Sequence, residues 1–186
     1  MQSSERASSR IRGARLGEQA ELTELALRSK AYWGYDASFM AACRAELTVI
    51  LDGDDAHVTY VLEEGQTIVG FYALQEIGSG RLELAFLFVE PDAIGRGYGK
   101  ALIEHAKQQT RSAGHRVLVI ASDPHAAAFY RAAGARFLEE RPSDSIEGRL
   151  LPVFEIDVSH ASKSANDRAC LLTFMARRWS PTASGL

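Results

Sequence analysis

The fold is decided by residues 87–102, which read LFVEPDAIGRGYGKAL. An apolar run typical of a β-strand ends at Pro91, and the alternating glycines Gly95, Gly97 and Gly99 lead into a helical pattern. Such a strand, turn and helix N-terminus bring backbone amides to the positive end of a helix dipole, where a pyrophosphate can be held. A tight turn alone seldom needs three alternating glycines, so the segment predicts phosphate binding.

Two other phosphate-binding motifs do not fit this spacing. A dinucleotide fingerprint starting at Gly95 would need glycine where Lys100 stands. A P-loop would need glycine at Ile94 and Ser or Thr at Ala101. The sequence therefore argues against a dinucleotide site and against an NTPase loop of that type.

The rest of the chain predicts a mixed α/β fold around this segment. The predicted order is β-α-α-β-β-β-α-β-α-β-β, with helices packed on a mixed sheet. Predicted helices cover residues 17–30 and 37–47, a run from Gly99 to near Gly114, and a run opened by Asp123 and ended by Gly134. The predicted strands after the first are 57–63, 67–76, 82–89, 117–121, 135–140 and 150–157.

Composition and length predict a single domain with a small-molecule partner. The chain has 186 residues, 46% of them hydrophobic, and a formal net charge of −3. This charge gives no basic field for nucleic acid, and no apolar run is long enough to span a membrane. The two cysteines form no CxxC pair, which suits a reducing compartment, and we expect a cytoplasmic protein. We expect a disordered leader at 1–10, a domain at 11–158 and a C-terminal extension at 159–186.

Two motifs in order resemble the GCN5-related N-acetyltransferase (GNAT) family. Residues 97–99, GYG, are similar to the end of its acetyl-CoA signature R/Q-x-x-G-x-G/A. Residues 123–134, DPHAAAFYRAAG, resemble its second motif N-x-x-A-x-x-F-Y-x-x-x-G. Ile94 stands where the family usually has Arg or Gln, and Asp123 where it usually has Asn. We expect Asp123 to place a negative charge near the cofactor and to weaken its binding.

The resemblance implies an N-acetyltransferase fold and acetyl-CoA as co-substrate. It implies direct transfer of the acetyl group to an amine in a ternary complex, with Tyr130 as the acid that protonates the departing thiolate. The alternative for Tyr130 is a core aromatic. The residues expected to contact acetyl-CoA are Leu87, Phe88, Val89, Gly95, Arg96, Gly97, Tyr98, Gly99, Lys100, Ser122, Asp123 and Phe129.

Glu83 is the candidate general base, because its place in the strand resembles that of a catalytic glutamate in the histone-acetylating branch of the family. Period-two alternation predicts that Glu83 shares a strand face with Ala85, Leu87 and Val89. The fold implies a bulge near residues 87–89 that parts this strand from the one at 117–121. An exposed carboxylate on the open face of the sheet remains the alternative.

The resemblance places the loop that covers the acceptor at the aromatic connection between the first two helices. Trp33 and Tyr35 are therefore candidate substrate-binding residues, with core packing as the alternative for Trp33. We expect a small-molecule amine as acceptor. A protein N-terminus or lysine, or a non-catalytic acyl-CoA-binding module, are the other hypotheses.

The remaining charged and polar residues carry weaker signals. No histidine shows metal-ligand spacing, so no metal is assigned. Lys30 is expected to be a solvated charge. The C-terminal extension is compatible with a docked helix, a disordered tail or a subunit contact, and the last of these makes a homodimer a possible assembly.

Overall fold

A computed structural model describes residues 9–51 and 57–159. Its core is a seven-stranded sheet in the order β1-β2-β3-β4-β5-β7-β6. The strands are β1 (Ser9–Gly13), β2 (His57–Glu64), β3 (Thr67–Glu76), β4 (Arg81–Val89), β5 (Val117–Ala121), β6 (Arg136–Pro142) and β7 (Leu150–Asp157). The pair β4 and β5 is parallel, and the other pairs are antiparallel, which confirms the predicted mixed sheet.

Helices cover both faces of the sheet. They are α1 (Gln19–Ala31), α2 (Ala37–Cys43), α3 (Tyr98–Ser112) and α4 (Ala127–Ala132). Buried residues of α1 and α2 form one core with Val61 and Phe71 of the sheet. Buried residues of α3 and α4 form the other core with Tyr72 and Phe154. Because side chains alternate along a strand, neighbours such as Phe71 and Tyr72 serve opposite cores.

The predicted elements are confirmed, with shifts at their ends. Residues 9 and 10 belong to β1 rather than to a leader, because they pair with Glu64 and Glu63 of β2, and the Arg10 side chain also donates to Glu63 at 2.8 Å. The other leader residues, 1–8, and the extension at 160–186 lie outside the described residues. Helix α2 ends at Cys43, four residues before its predicted end, where the next bond, from Arg44 N–H to Ala41, is a tighter turn.

The bulge in β4 lies at Ala85, not near residues 87–89. In the β3 and β4 ladder Ala73 faces Phe86 and Leu74 faces Leu84, so Ala85 is the additional residue. Such a residue breaks the alternation of side chains on its strand. The feature determines which side chains of β4 face which core.

Candidate functional site

The turn between β4 and α3 requires glycine at two positions. Gly95 and Gly97 have φ values of +85° and +89°, a region that side chains with a Cβ rarely adopt. Gly97 begins α3 with no side-chain cap, and the backbone hydrogen bond from Ala101 to Gly97 closes the first turn. The amides of the first turn have no intrahelical acceptor and lie at the positive end of the helix dipole. The turn therefore presents the donors that a phosphate group needs.

Gly99 serves a different purpose, the packing of α3 against α4. A Cβ at Gly99 would lie 3.3 Å from Cε2 of Phe129, a tight contact. The ring of Phe129 in turn makes an edge contact with Tyr130 at 5.0 Å. The structure thus brings the two sequence motifs together through Gly99 and Phe129.

The side chains of Arg96 and Tyr98 are held by the hairpin that joins β2 and β3. Arg96 Nη2 and Tyr98 Oη donate to the carboxylate of Glu64 at 2.5 and 2.6 Å. The hairpin thus holds the hydroxyl of Tyr98 and one nitrogen of the Arg96 guanidinium. Lys100 is exposed on the first turn of α3. Its charge adds to the positive end of the helix.

Strands β4 and β5 part early, and this opens a cleft in the sheet. Their pairing covers only residues 81–83 and 117–119. Past Glu83, β4 has no pair with β5 in the described part of the chain. The cleft lies between the second half of β4 and the end of β5, next to the turn that precedes α3.

The hydrogen-bond alternation of the β3 and β4 ladder determines where Val89 points its backbone groups. Glu90 N–H donates to Val69 C=O at 2.9 Å, which makes this a hydrogen-bonded pair. The next pair, Gly70 and Val89, is then a non-hydrogen-bonded one. The N–H and C=O of Val89 consequently point away from β3, toward the cleft.

Glu83 lies on the α1 and α2 side of the sheet, which corrects the prediction from simple alternation. Leu82, Leu84, Leu87 and Val89 all face the core under α3. The bulge at Ala85 lets Leu84 and Leu87 share that face although they are three residues apart. Glu83 therefore does not share a face with Leu87 or Val89.

Glu83 sits at the last paired position of β4, directly before the strands part. Its carboxylate accepts a hydrogen bond from Arg141 Nη1 at 3.1 Å and is 19% exposed. On the same face Phe86 and Phe88 pack against the α1 and α2 core, so the ring of Phe88 points away from the α3 core. The result is an ion-paired carboxylate at the closed end of the cleft, where the two strands begin to part.

Tyr130 lies on α4, in the core on the other face of the sheet, and is 7% exposed. Burial, together with the negative charge of Asp123, raises the pKa of its hydroxyl. The hydroxyl makes no hydrogen bond to any residue in the described ranges. The ring is buried, but the hydroxyl oxygen is not among the fully buried atoms without a partner, so it is open to a ligand.

Asp123 follows β5 and is the centre of a half-buried charge cluster. Its carboxylate accepts from Lys30 Nζ at 2.6 Å, Arg149 Nη2 at 3.0 Å, Tyr35 Oη at 3.0 Å and His125 N–H at 3.0 Å. Burial works to raise its pKa, but the hydrogen bond and charge of Lys30, with smaller contributions from His125 N–H and Arg149, lower it to about 2. Lys30, Asp123 and Arg149 are only 13%, 13% and 14% exposed.

This cluster overturns two expectations from the sequence. Lys30 is not a solvated charge, because it is buried against Asp123 and 5.4 Å from the ring centre of Tyr35. The charge of Asp123 is more than offset by its two cationic partners. Beside it, Ser122 is buried and donates to the backbone oxygen of Asp123 at 2.7 Å, so this side chain fixes the end of β5.

The aromatic connection lies against the same cluster. The hydroxyl of Tyr35 donates to Asp123 and accepts from Arg149 at 2.9 Å, and burial, with the charge of Asp123, raises its pKa to about 12. Trp33 stacks on His125 with ring centres 5.2 Å apart and is 40% exposed. Trp33 is therefore a surface residue of the cluster rather than part of a core.

The loop between β6 and β7 completes the cluster, and the sequence analysis did not identify it. Arg149 ends this loop, Ile146 packs on the α1 and α2 core, and Ser145 Oγ lies 3.5 Å from Cys43 Sγ. Arg141, at the end of β6, supplies the partner of Glu83. In the sequence, only the polar composition of this loop indicated that it could contribute to a site.

Within residues 9–51 and 57–159, no group of three or more His, Cys, Asp or Glu side chains is placed to hold a metal ion. In the same ranges no helix combines the length and apolar character needed to cross a membrane.

Comparisons with known proteins agree with this architecture. The model of the acetyltransferase (GNAT) family matches residues 21–135. No curated protein matches the sequence. Similar solved structures include the PaiA N-acetyltransferase from Thermoplasma acidophilum in complex with coenzyme A, at 19% identity and a TM-score of 0.66, with 81% of this chain and 99% of that one covered.

Two further structures have the same fold. The ribosomal-protein-S18-alanine N-acetyltransferase from Escherichia coli is 19% identical with a TM-score of 0.61, covering 84% of this chain and 98% of that one. YncA from Salmonella typhimurium, solved with its cofactor acetyl-CoA, is 20% identical with a TM-score of 0.59. The match covers 85% of this chain and 99% of that one. At these identities the likeness concerns the fold.

Proposed function

Because this chain belongs to the acetyltransferase (GNAT) family, we propose that it transfers the acetyl group of acetyl-CoA to a primary amine of a small molecule. The reaction would be a direct attack within a ternary complex, without an acyl-enzyme. The observation that carries this proposal is the cleft between β4 and β5, which opens beside the glycine turn of α3.

The two ends of acetyl-CoA match two parts of the cleft. The amides at the start of α3, from Gly97 to Lys100, would hold the pyrophosphate, as helix N-termini hold other phosphates. The edge of β4 that faces the cleft would pair with the amide groups of the pantetheine arm, as another strand would. In support, the relatives from Thermoplasma acidophilum and Salmonella typhimurium bind coenzyme A and acetyl-CoA.

The backbone N–H of Val89 is the proposed donor to the thioester oxygen. It points into the cleft because the Gly70 and Val89 pair is non-hydrogen-bonded. A donor fixed in this way stabilises the negative charge that develops on the carbonyl oxygen during attack.

The acceptor amine must lose a proton before it attacks. An alkylamine has a pKa of about 10.4, so only around one molecule in a thousand is neutral at pH 7. Glu83 is the proposed base, because it lies where the two strands begin to part and its carboxylate is partly accessible. The amine nitrogen then bonds to the carbonyl carbon, and the carbon–sulfur bond breaks.

The electron pair of the carbon–sulfur bond stays on sulfur. Tyr130 is the proposed proton donor to this thiolate. Its hydroxyl is protonated at neutral pH, since the ordinary pKa of tyrosine is about 10 and burial raises it further. A hydroxyl with no partner among the described residues is available to a ligand in the cleft. The second proton of the nitrogen, lost as the amide forms, would restore the hydroxyl of Tyr130, and Glu83 would release the first proton to solvent, which closes the proton balance of the reaction.

A small-molecule acceptor is favoured by the two loops that close the α1 and α2 side. The aromatic connection and the loop between β6 and β7 are joined to each other through Tyr35 and Arg149 at 2.9 Å. Because the two loops are held together, the opening on this side of the sheet is narrower, which hinders the approach of a folded polypeptide. The two separated cysteines support a cytoplasmic location for the reaction.

Exposed apolar residues on β6, an edge strand of the sheet, support a homodimer. Phe137 and Leu138 are 53% and 43% exposed. Sedimentation of the full chain, with Phe137→Glu as the variant, tests this assembly. A monomer at micromolar concentration would reject it.

The function is tested by release of the CoA thiol from acetyl-CoA over a panel of small amines and peptides. We expect release with small amines and a matching N-acetylated product. Binding of acetyl-CoA without transfer to any acceptor would identify a non-catalytic module. Transfer to peptides alone would identify a protein acetyltransferase.

A further inference from the structure

We propose that the acceptor carries a carboxylate as well as its amine, and that Arg149 and Lys30 bind this carboxylate. The inference rests on the proposed function, because it names the substrate class of the same site. It is drawn from the cluster around Asp123, which the sequence motifs do not describe.

The cluster contains more positive than negative charge. Lys30 and Arg149 share the single carboxylate of Asp123, and Tyr35 is neutral because its pKa is raised. In the part of the chain that the structure describes, neither cation bonds a second carboxylate. The sum is one positive charge in a half-buried position, which favours a ligand with one negative charge.

Both cations also keep donors that the protein does not use. Lys30 makes one hydrogen bond, although an ammonium group has three donors. Arg149 uses only Nη2, for Tyr35 and Asp123, so Nε and Nη1 have no acceptor among the described residues. A guanidinium edge of this kind matches the two oxygens of a carboxylate.

The surroundings strengthen such a bond. Arg149 lies 4.8 Å from the ring centre of Phe39 and 5.3 Å from that of Tyr35, so aromatic rings replace part of its water shell. Charges that have lost water interact more strongly with an anion than charges in bulk solvent do.

The position of the cluster fits the reaction. Asp123 follows β5 at the cleft and is close enough to Tyr130 for its charge to raise the pKa of the hydroxyl. The partners of Asp123 come from α1, the aromatic connection and the loop between β6 and β7, which places them on the same side of the sheet as Glu83. A carboxylate held there would leave the amine of the same molecule near Glu83 and the thioester.

The experiment compares amines that differ only in a carboxylate. Phenylalanine is paired with phenethylamine, and 4-aminobutyrate with butylamine, with acetyl-CoA saturating. In at least one pair we expect the acid to have the higher kcat/KM by about 10- to 100-fold, the value of one hydrogen bond to a charged group. Phosphoethanolamine and a peptide with a free N-terminus complete the panel.

Two variants connect the preference to these residues. Arg149→Gln and Lys30→Gln should each reduce the preference for the acid to about threefold or less, mainly through KM. Arg44→Gln, which removes an exposed arginine paired with Glu24 on the surface, is the matched control and should keep the full preference. The shift in melting temperature caused by CoA shows that each variant is folded.

If all amines react without any preference for the acid, the inference is wrong and the proposed function stands. If Arg149→Gln and Lys30→Gln keep the preference while CoA still binds, the carboxylate is bound elsewhere and the inference is again wrong. A higher kcat/KM for phosphoethanolamine or the peptide than for either amino acid would show that the cluster binds a phosphate group or a peptide instead. The inference would then also be wrong. Absence of transfer to every acceptor would reject the proposed function itself.

Discussion

Glu83 lies on the α1 and α2 side of the sheet, whereas Tyr130 lies in the core under α3 and α4 on the other side. The cleft between β4 and β5 joins the two sides. In the proposed reaction Glu83 would therefore reach the acceptor amine from one side of the cleft, and Tyr130 would reach the leaving thiolate from the other. The two side chains would not occupy the same space. In the proposed reaction the two side chains act on different protons, so they can be tested separately.

Glu83→Gln should leave acetyl-CoA affinity unchanged and lower turnover at pH 7 by about 10²- to 10⁴-fold, the usual contribution of a general base. The loss should decrease at high pH, where more of the amine is neutral without help. Steady-state kinetics from pH 6 to 10 measure both effects. Glu155→Gln is the control, since Glu155 is also paired with arginines but lies on β7. Turnover near wild type at pH 7 would make Glu83 a structural carboxylate.

Tyr130→Phe should keep the fold and CoA binding and lower turnover by about ten- to a thousand-fold. The effect is moderate because a thiol has a pKa of about 8.5, so CoA leaves readily as a thiolate. Tyr60→Phe is the control, because its hydroxyl donates to Gln109, in α3, at 3.1 Å. A Tyr130→Phe enzyme with full turnover would reduce Tyr130 to a packing residue.

Acetyl-CoA and CoA should stabilise the protein, whereas NADH and ATP should not. At 100 times the dissociation constant the gain is about 2.7 kcal/mol, visible as a higher Tm. Gly97→Glu should abolish the shift, because it adds strain, bulk and negative charge at the proposed pyrophosphate site. Gly114→Glu is the matched control: its φ is +83° and its Cβ would also meet open space, but it follows the other end of α3. It should lower the Tm and keep the shift. Stabilisation by NADH but not by CoA would contradict the proposed cofactor.

Stability should fall in acid as Asp123 is protonated. Its pKa is about 2 in the folded chain, below the ordinary 3.8, so the folded state binds fewer protons than the unfolded state. This contribution is complete above about pH 5 and is lost as the pH falls through about 2, and it amounts to roughly 2 kcal/mol. Urea denaturation at pH 7 and pH 3 measures about half of it, because pH 3 lies between the two pKa values.

Asp123→Asn should destabilise the protein at pH 7 and reduce the difference between the two pH values. Asp92→Asn, at an exposed position, is the control for loss of a carboxylate. Equal acid sensitivity of the Asp123→Asn variant and the wild type would show that the cluster does not contribute.

The order of helices and strands was predictable because it depends on local patterns. The buried strand at 117–121 is wholly apolar, and Gly95 and Gly97 mark a turn that needs positive φ. The bulge was misplaced because the sequence around Ala85 has no glycine or proline to mark it, and its position is determined by the fit of β4 to β3. Without that position the face of Glu83 could not be assigned correctly.

The charge cluster was beyond the sequence for a different reason. Lys30 and Asp123 are 93 residues apart, and Arg149 lies in a polar loop outside both motifs. A single lysine at the end of a helix looks the same in the sequence whether it is solvated or paired. Only the tertiary fold brings the two cations to one carboxylate.

The bulge at Ala85 has a consequence for how this protein can change. Point substitutions along β4 alter side chains but leave each position on its own side of the sheet. Deletion of Ala85 would restore a regular strand with Leu84 directly before Phe86, so Glu83, Leu87 and Val89 would all keep their present sides. A residue inserted or deleted elsewhere in β4, with no bulge to absorb it, would instead move one half of the strand to the other side of the sheet, so the bulge allows β4 one additional residue without a change of side for the proposed base.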